Sequence, residues 1–569
     1  MKQVDKPLMR NALIALACFG CAPTADIGSS AQDLVTVVDA VYSNIPVSPD
    51  HYATTSSLTT FDNSCGGSLN YFRTAAVWEE ETFNTSDATT QLLIGNECGF
   101  NPPTINNGGA AQVITTSLVG TAPEWTAFFG PLTPMLWVGE PTLVPVLDPT
   151  QTGWLALVGI VSNPPRTFTG IAIALSKDGG QTWGVSLANP NGFTHVITPV
   201  PTVDNSIADL AVASGTTIDA PGGGYNSDLN TQTYDIYLTW WQNVLGVGQR
   251  FFQVVSYDLS GGYHHGPQIN LNSFVTFNPD QSVGAPQNII NMSIVAGASL
   301  TPPPIRQPFV AVQWPNPTNT TFNPPNISCP SSAAFFGAVW SGAVSYNYGS
   351  TWMRLPPSHF LPGGSDDPKC VSVAKSYRNP QRSSLTFELN TATIIDAVAM
   401  PDPTLGPVPG TFIESNAFNM SAWEAPPPTV TPIFQSTHIS GRAQQSQFLP
   451  VVTADRNFTP GHGNVAIAWV DSAEDTTNSD VPSGLYGVTS PVFTVATPGF
   501  SAVSRAWPVP PAPPAYIYDP VNLGADCLGR HNSLSVNALY WLTFAGDNTH
   551  VNGSGHPYLS MDTVSISPP

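Results

Sequence analysis

Positive charge is scarce in this chain. Over 569 residues, 17 lysines and arginines face 38 aspartates and glutamates, a formal net charge of −21, and charged residues make up only 10% of the whole. A surface of that sign repels phosphate backbones and anionic bilayers, which argues against binding to nucleic acid or to a lipid surface. Cysteine is sparse as well, at 7. Among the five beyond Cys21, none of the spacings suits a zinc knuckle or C-x-x-C redox chemistry. Past the N-terminal segment no apolar run is long enough to cross a bilayer, so no transmembrane segment is expected. No stretch carries a sustained helical period. The sequence also has no H-E-x-x-H, no G-x-S-x-G, no phosphate-binding glycine loop and no D-x-D-x-D-G calcium loop. No cofactor is therefore expected. Calcium among the many aspartates stays open, with no specific site, and the better reading of those aspartates is as turn residues.

What is abundant is proline (57), glycine (47), and strand-forming Thr, Val and aromatic residues. Short strands joined by turns fit that text, and apolar residues at 41% can fill a substantial core. The N-terminus reads as an export signal, with Lys2, Lys6 and Arg10 ahead of an apolar core from Ala12 to Gly20 and small residues at Ala22, Ala25 and Ala31. Cys18 and Cys21 loosely suit a lipoprotein signal. Secretion is the favoured destination, and a lipid anchor is the alternative. Residues 1–31 are thus read as the signal, 32–135 as an extra blade or a cap, and 136–569 as the main repeat domain. Beyond the signal, Cys65–Cys98 and Cys329–Cys370 are the simplest disulfide pairs, leaving Cys527 over.

The most specific local pattern is the octapeptide Ser176-Lys177-Asp178-Gly179-Gly180-Gln181-Thr182-Trp183. It recurs as Ser345-Tyr346-Asn347-Tyr348-Gly349-Ser350-Thr351-Trp352. Both match S-x-D-x-G-x-T-W, with Asn347 in place of the aspartate. Asp178 or Asn347 can hydrogen-bond nearby backbone amides, Gly180 and Gly349 can supply a positive φ, and Thr182-Trp183 and Thr351-Trp352 begin the returning strand. Each tryptophan is an anchor able to seat the turn against its own sheet. A weaker version runs from Ser256 to Tyr263. This motif resembles the Asp-box of the sialidase-like (BNR repeat) β-propeller family. The resemblance implies an all-β fold of four-stranded blades, with each box at the turn between a blade's third and fourth strands and away from the active-site face. It implies a fold, not an activity.

Apolar strands recur along the chain, starting at Trp154, Tyr234, Pro308, Asn464 and Ala538, with spacings of 80, 74, 156 and 74. The double interval predicts a missing member near residue 386, where 385–389 and 393–395 are both strand-like. Self-similarity at a fixed period signals a repeat architecture. A six-bladed β-propeller fits best, and seven blades is the alternative because Thr74–Trp78 lies one period upstream. The segment from Thr142 to Asp148 aligns with Gln447 to Asp455 as a second repeated phrase. Proline-rich stretches at 401–409, 426–432 and 508–514 read as loops.

Sialidases grip a substrate carboxylate with three arginines and use a Tyr–Glu pair as nucleophile. The family's Phe-Arg-Ile-Pro motif survives here only as Phe72-Arg73, and Pro304-Ile305-Arg306 resembles it less. The weak catalytic candidates are Arg73, Arg442 and Arg530, the last two sitting where strands would enter blades. Glu388, Glu414 and Asp455 are unranked acids, and His264-His265 reads as a loop pair. The expected function is recognition of carbohydrate or a cell-surface partner at the mouth of the channel. The alternative is an exo-sialidase-type glycoside hydrolase with a diverged arginine cluster.

Overall fold

The structure is a computed structural model. It describes thirty β-strands between residues 45 and 565, one 3-10 turn at Leu271–Ser273, and the connecting residues 215, 245–246, 266–268, 274, 289, 292, 346–352, 355, 383, 391–392 and 500. Side chains are defined chiefly between residues 142 and 500. The strands sort into seven antiparallel sheets of four or five strands among the described residues. In chain order the sheets span 52–117, 136–197, 207–270, 293–371, 384–440, 447–505 and 533–565. The seventh takes its outermost strand, Ile45–Pro46, from the other end of the chain, pairing Ile45 with Met561.

The first strand of each sheet contacts the first strand of the next, and Ser533–Val536 meets Tyr52–Phe61 to complete the cycle. The sheets are therefore blades of a β-propeller whose innermost strands form a ring. Six was the preferred number from the sequence, and the sheets number seven. The upstream strand Arg73–Glu81, containing Thr74–Trp78, has a sheet of its own within residues 52–117.

The repeat spacing has a simple structural meaning: the recurring apolar segments are the second strands of their sheets, including Leu155–Ser162, Thr233–Val244, Pro308–Pro317, Val465–Asp471 and Tyr540–Val551. The missing member is Thr393–Pro401, while Ser384–Glu388 is the first strand of the same blade. Alternation along Thr233–Val244 separates two buried faces, not a buried face from a wet one. Ile236, Leu238 and Trp240 pack into a cluster shared with the second sheet, and Tyr237 packs into one shared with the fourth. The third blade is covered on both sides, so residues 235–240 are all buried.

The octapeptide from Ser345 to Trp352 follows the third strand of its sheet, Phe336–Ser345, and leads into the fourth, Met353–Arg354. Ser176 likewise ends a third strand, and Ser256 lies in one, in Thr169–Ser176 and Val247–Asp258. Residues 177–183, including Asp178, Gly180, Thr182 and Trp183, lie outside the described residues. In the second copy the Thr351 N–H donates to Asn347 Oδ1 at 2.8 Å, and Asn347 Nδ2 donates to Thr351 Oγ1 at 2.7 Å. The Gly349 N–H donates to Ser345 Oγ at 2.8 Å. Tyr348 and Gly349 both have positive φ, at 57° and 84°. A Cβ on Gly349 would fall on the ring of Phe252, so the position is closed to side chains by packing as well as by backbone conformation.

Trp352 does more than anchor its own sheet. Its ring meets Phe252 of the third sheet edge-on, with centroids 5.2 Å apart, while sharing a cluster with Val312 and Ala343 of the fourth. The box therefore rivets two blades together. Burial raises the pKa of the Tyr346 hydroxyl well above the ordinary phenol value, so this ring, tilted against Phe309, stays neutral.

Candidate functional site

In a propeller of antiparallel blades, first strands start at one end of the ring, and second strands return to it. Box turns lie at the opposite end. The starting end is the mouth. First strands are regular in three sheets and irregular in four. The register with the second strand shifts between Ala53 and Thr55, between Gly139 and Thr142, between Ala208 and Ala211, and between Phe448 and Val451. Every shift falls within the first seven residues of its strand. Three of the four belong to consecutive sheets, the first to the third, so one arc of the mouth is built from bulged strands. Bulges re-aim side chains and interrupt pairing, and they concentrate at barrel rims and beside active sites.

The same register places Glu140 and Asp209 at matching bulge positions on neighbouring inner strands, Leu136–Pro145 and Ile207–Ser214, with Leu449 as their counterpart in Gln447–Ala454. Pro141 and Pro450 then coincide. Pro145 and Pro450, the prolines of the two segments aligned from the sequence, are therefore not structural counterparts. Pro145 pairs with Leu155 at the far end of its strand, whereas a proline in a bulge removes no ladder donor. Opposite two of the bulges stand the fully buried indoles of Trp240 and Trp469. The Trp469 Nε1–H donates to Asp471 Oδ2 at 3.1 Å, and Gln447 Nε2 donates to the same oxygen at 3.0 Å, fixing the mouth end of the sixth sheet.

Asp209 is the most constrained of the bulged residues. Its φ is 54°, in the left-handed region that costs a non-glycine residue energy. Its side chain is 12% exposed and ion-paired through Oδ2 with Arg250 NH1, and Arg250 is fully buried. The Met292 N–H, at the entry to the fourth sheet, donates to the same Oδ2 at 3.3 Å. Arg250 Nε donates to Thr239 Oγ1 at 2.8 Å, and the Thr239 hydroxyl donates to Phe251 O at 2.8 Å. The Arg250 N–H donates to Asn272 Oδ1 at 2.6 Å. One carboxylate thus ties two blades at the mouth, compensating a buried guanidinium.

The candidates read from the sequence fall elsewhere or outside the described residues. Arg73 begins the strand Arg73–Glu81 opposite Phe61, at the end of the ring away from the mouth. Arg442, Arg530 and Asp455 lie outside the described residues, as do Cys65, Cys98, Cys329, Cys527 and the N-terminal signal. Cys370 opens the strand Cys370–Val371. Glu388 is buried at a turn, where its Oε2 accepts from the Thr391 N–H at 2.7 Å and from the Thr391 hydroxyl. His264 and His265 lie in the short strand Tyr263–His265, a strand and not a loop, at the outer edge of the third sheet. Among the described residues no group of three or more His, Cys, Asp or Glu is clustered for a metal ion, and no helix is long and apolar enough to cross a membrane. Sequence reasoning missed the Asp209–Arg250 pair. The repeated phrase of Thr142 to Asp148 and Gln447 to Asp455 was the one signal near two of the bulges.

No protein-family model matches the chain, and no curated protein matches it. Among solved structures it is similar to the GH93 α-L-arabinofuranosidase of Fusarium graminearum, at 9% identity and a TM-score of 0.37, covering 93% of this chain and 98% of that one. It is similar to the α-L-arabinanase of Penicillium chrysogenum at 10% identity and a TM-score of 0.34, covering 93% and 99%. It also resembles a mutant of the Trypanosoma rangeli sialidase at 10% identity and a TM-score of 0.31, covering 75% and 53%. Likeness this distant says nothing about chemistry.

Proposed function

We propose that this protein is an exported, sialidase-like β-propeller that recognises a carbohydrate ligand at the mouth of its ring. The observation that carries the reading is the concentration of register shifts in the first strands of the first three sheets, all at the mouth end. Of the other four innermost strands only Gln447–Ala454 shifts register, so the irregular arc is where the fold departs most from what stability alone would choose. Loops and bulges at a propeller mouth can be changed without touching the blade seams, which suits ligand recognition. The box motif and its place after third strands support the sialidase-like reading of the scaffold. The rival reading is an exo-sialidase-type hydrolase.

Two measurements on the purified full chain test this. Binding to a panel of immobilised oligosaccharides is expected. No binding to any glycan would refute the reading. Turnover of a fluorogenic sialoside, abolished by Arg442→Ala or Arg530→Ala, would replace recognition with hydrolysis.

A further inference from the structure

We infer that Trp241 is a stacking platform for a sugar ring, set where the third and fourth blades meet at the mouth, which rests on the carbohydrate reading above. The structure describes the side chains of five tryptophans, and it buries Trp240, Trp314, Trp352 and Trp469. Trp241 is the one of these five that is partly exposed. Along the second strand Thr233–Val244, alternate residues face the fourth blade. Tyr237 packs into the cluster shared with that blade, and the Thr239 hydroxyl lies 3.5 Å from Met292 Sδ. Trp241 is next outward on this face, which runs from buried Thr239 through half-buried Trp241 and Asn243 to Leu245, 75% exposed. On the opposite face burial reaches further out, to Gln242. A large indole therefore stands where the seam between the blades passes from dry to wet.

Its neighbours keep that position rigid. In the ladder Trp241 is paired with Ala208, immediately before the Asp209 bulge, and on its other side with Arg250. The Arg250 side chain is locked by its bonds to Thr239 and Asp209, and the Met292 N–H closes on Asp209 from the fourth blade. Inward of the indole the seam thus has a fixed floor, and a ligand seated there would order little protein on binding. An indole offers a flat apolar face suited to the C–H face of a sugar ring, and its N–H edge can donate to a hydroxyl.

The test uses the full chain, a panel of oligosaccharides, and the variants Trp241→Phe, Trp241→Leu and Trp241→Ala, each checked for folding by its urea midpoint. For the oligosaccharide that the unaltered protein binds most tightly, Trp241→Leu and Trp241→Ala should each weaken binding at least about tenfold, and Trp241→Phe, which keeps a ring, by no more than about threefold. Bound sugar should also shield an indole from acrylamide quenching in the unaltered protein, and Trp241→Phe should abolish that shielding. Leucine fills much of the same space, so a folding defect in Trp241→Ala leaves the comparison of Trp241→Phe with Trp241→Leu standing. Undiminished affinity in Trp241→Leu would overturn this inference while leaving the carbohydrate reading intact. So would equal losses in Trp241→Phe and Trp241→Leu, or shielding that survives in Trp241→Phe. Failure of the unaltered protein to bind any oligosaccharide would overturn both.

Discussion

The third and fourth blades are joined at both ends, and the two joints are built from opposite materials. At the box end, the Phe252 ring, the Trp352 indole and the closely approached Gly349 meet in a dry contact, with the turn's own amides satisfied by Ser345 and Asn347. At the mouth end, the Met292 N–H at the entry to the fourth blade donates to Asp209, which is ion-paired with Arg250 within the third blade and held in a strained backbone conformation on a bulge. Packing gives stability with little sensitivity to ligands. A charged, bulged joint is costly to assemble, so its persistence points to selection for something other than rigidity.

The largest expected effect comes from dismantling the polar joint one-sidedly. Arg250→Met should destabilise the protein by about 3–5 kcal/mol, because Asp209 is left without its buried partner charge. The double variant Arg250→Met/Asp209→Asn should recover much of that loss in urea unfolding. If the double variant were no better than the single, the joint would not be governed by charge compensation. At the other end, Trp352→Ala should cost about 3–5 kcal/mol through the cavity left against Phe252, and glycan binding should persist in the folded fraction. A selective loss of binding in this variant would erase the division of labour between the ends.

Smaller changes sharpen the contrast. Gly349→Ala should cost about 1–3 kcal/mol, from the positive φ and the collision with Phe252, measured by the urea midpoint. Alkaline pH probes the box end through Tyr346. Burial raises its pKa in the folded state, so its contribution is fully present below the ordinary phenol pKa of about 10 and declines as pH rises above it. Unfolding free energy should fall by up to about 1.4 kcal/mol per pH unit in that range, and Tyr346→Phe should flatten the decline. The smallest effect should come from Leu245, 75% exposed at the tip of the hairpin before Gly246, where Leu245→Asn should change stability by less than about 0.5 kcal/mol.

Much of the scaffold was legible because its signals are local. The box turn is closed by bonds among residues two to four apart, and those residues are the motif. The spacing of apolar strands was also readable, since second strands such as Thr233–Val244 are buried on both faces and stand out as apolar runs. The unit near 386 was located but its two strands could not be ranked, because first and second strands differ in neighbours more than in composition. The mouth was not legible. Asp209 is an isolated acid between Ala208 and Leu210, and its partner lies 41 residues on, across a hairpin. Register sets that meeting, and one sequence does not state register.

The strand Ile45–Pro46 has a consequence for how the molecule comes into being. It edges a sheet whose other three strands are Ser533–Val536, Tyr540–Val551 and Pro557–Ser565. During synthesis, blades one to six can assemble in order as they leave the ribosome, but the early residues that finish the circle must wait for the last-made ones. A pause in translation after residue 505 would leave an open crescent with two raw flanks, so chaperone capture should peak there and vanish once residue 565 has emerged.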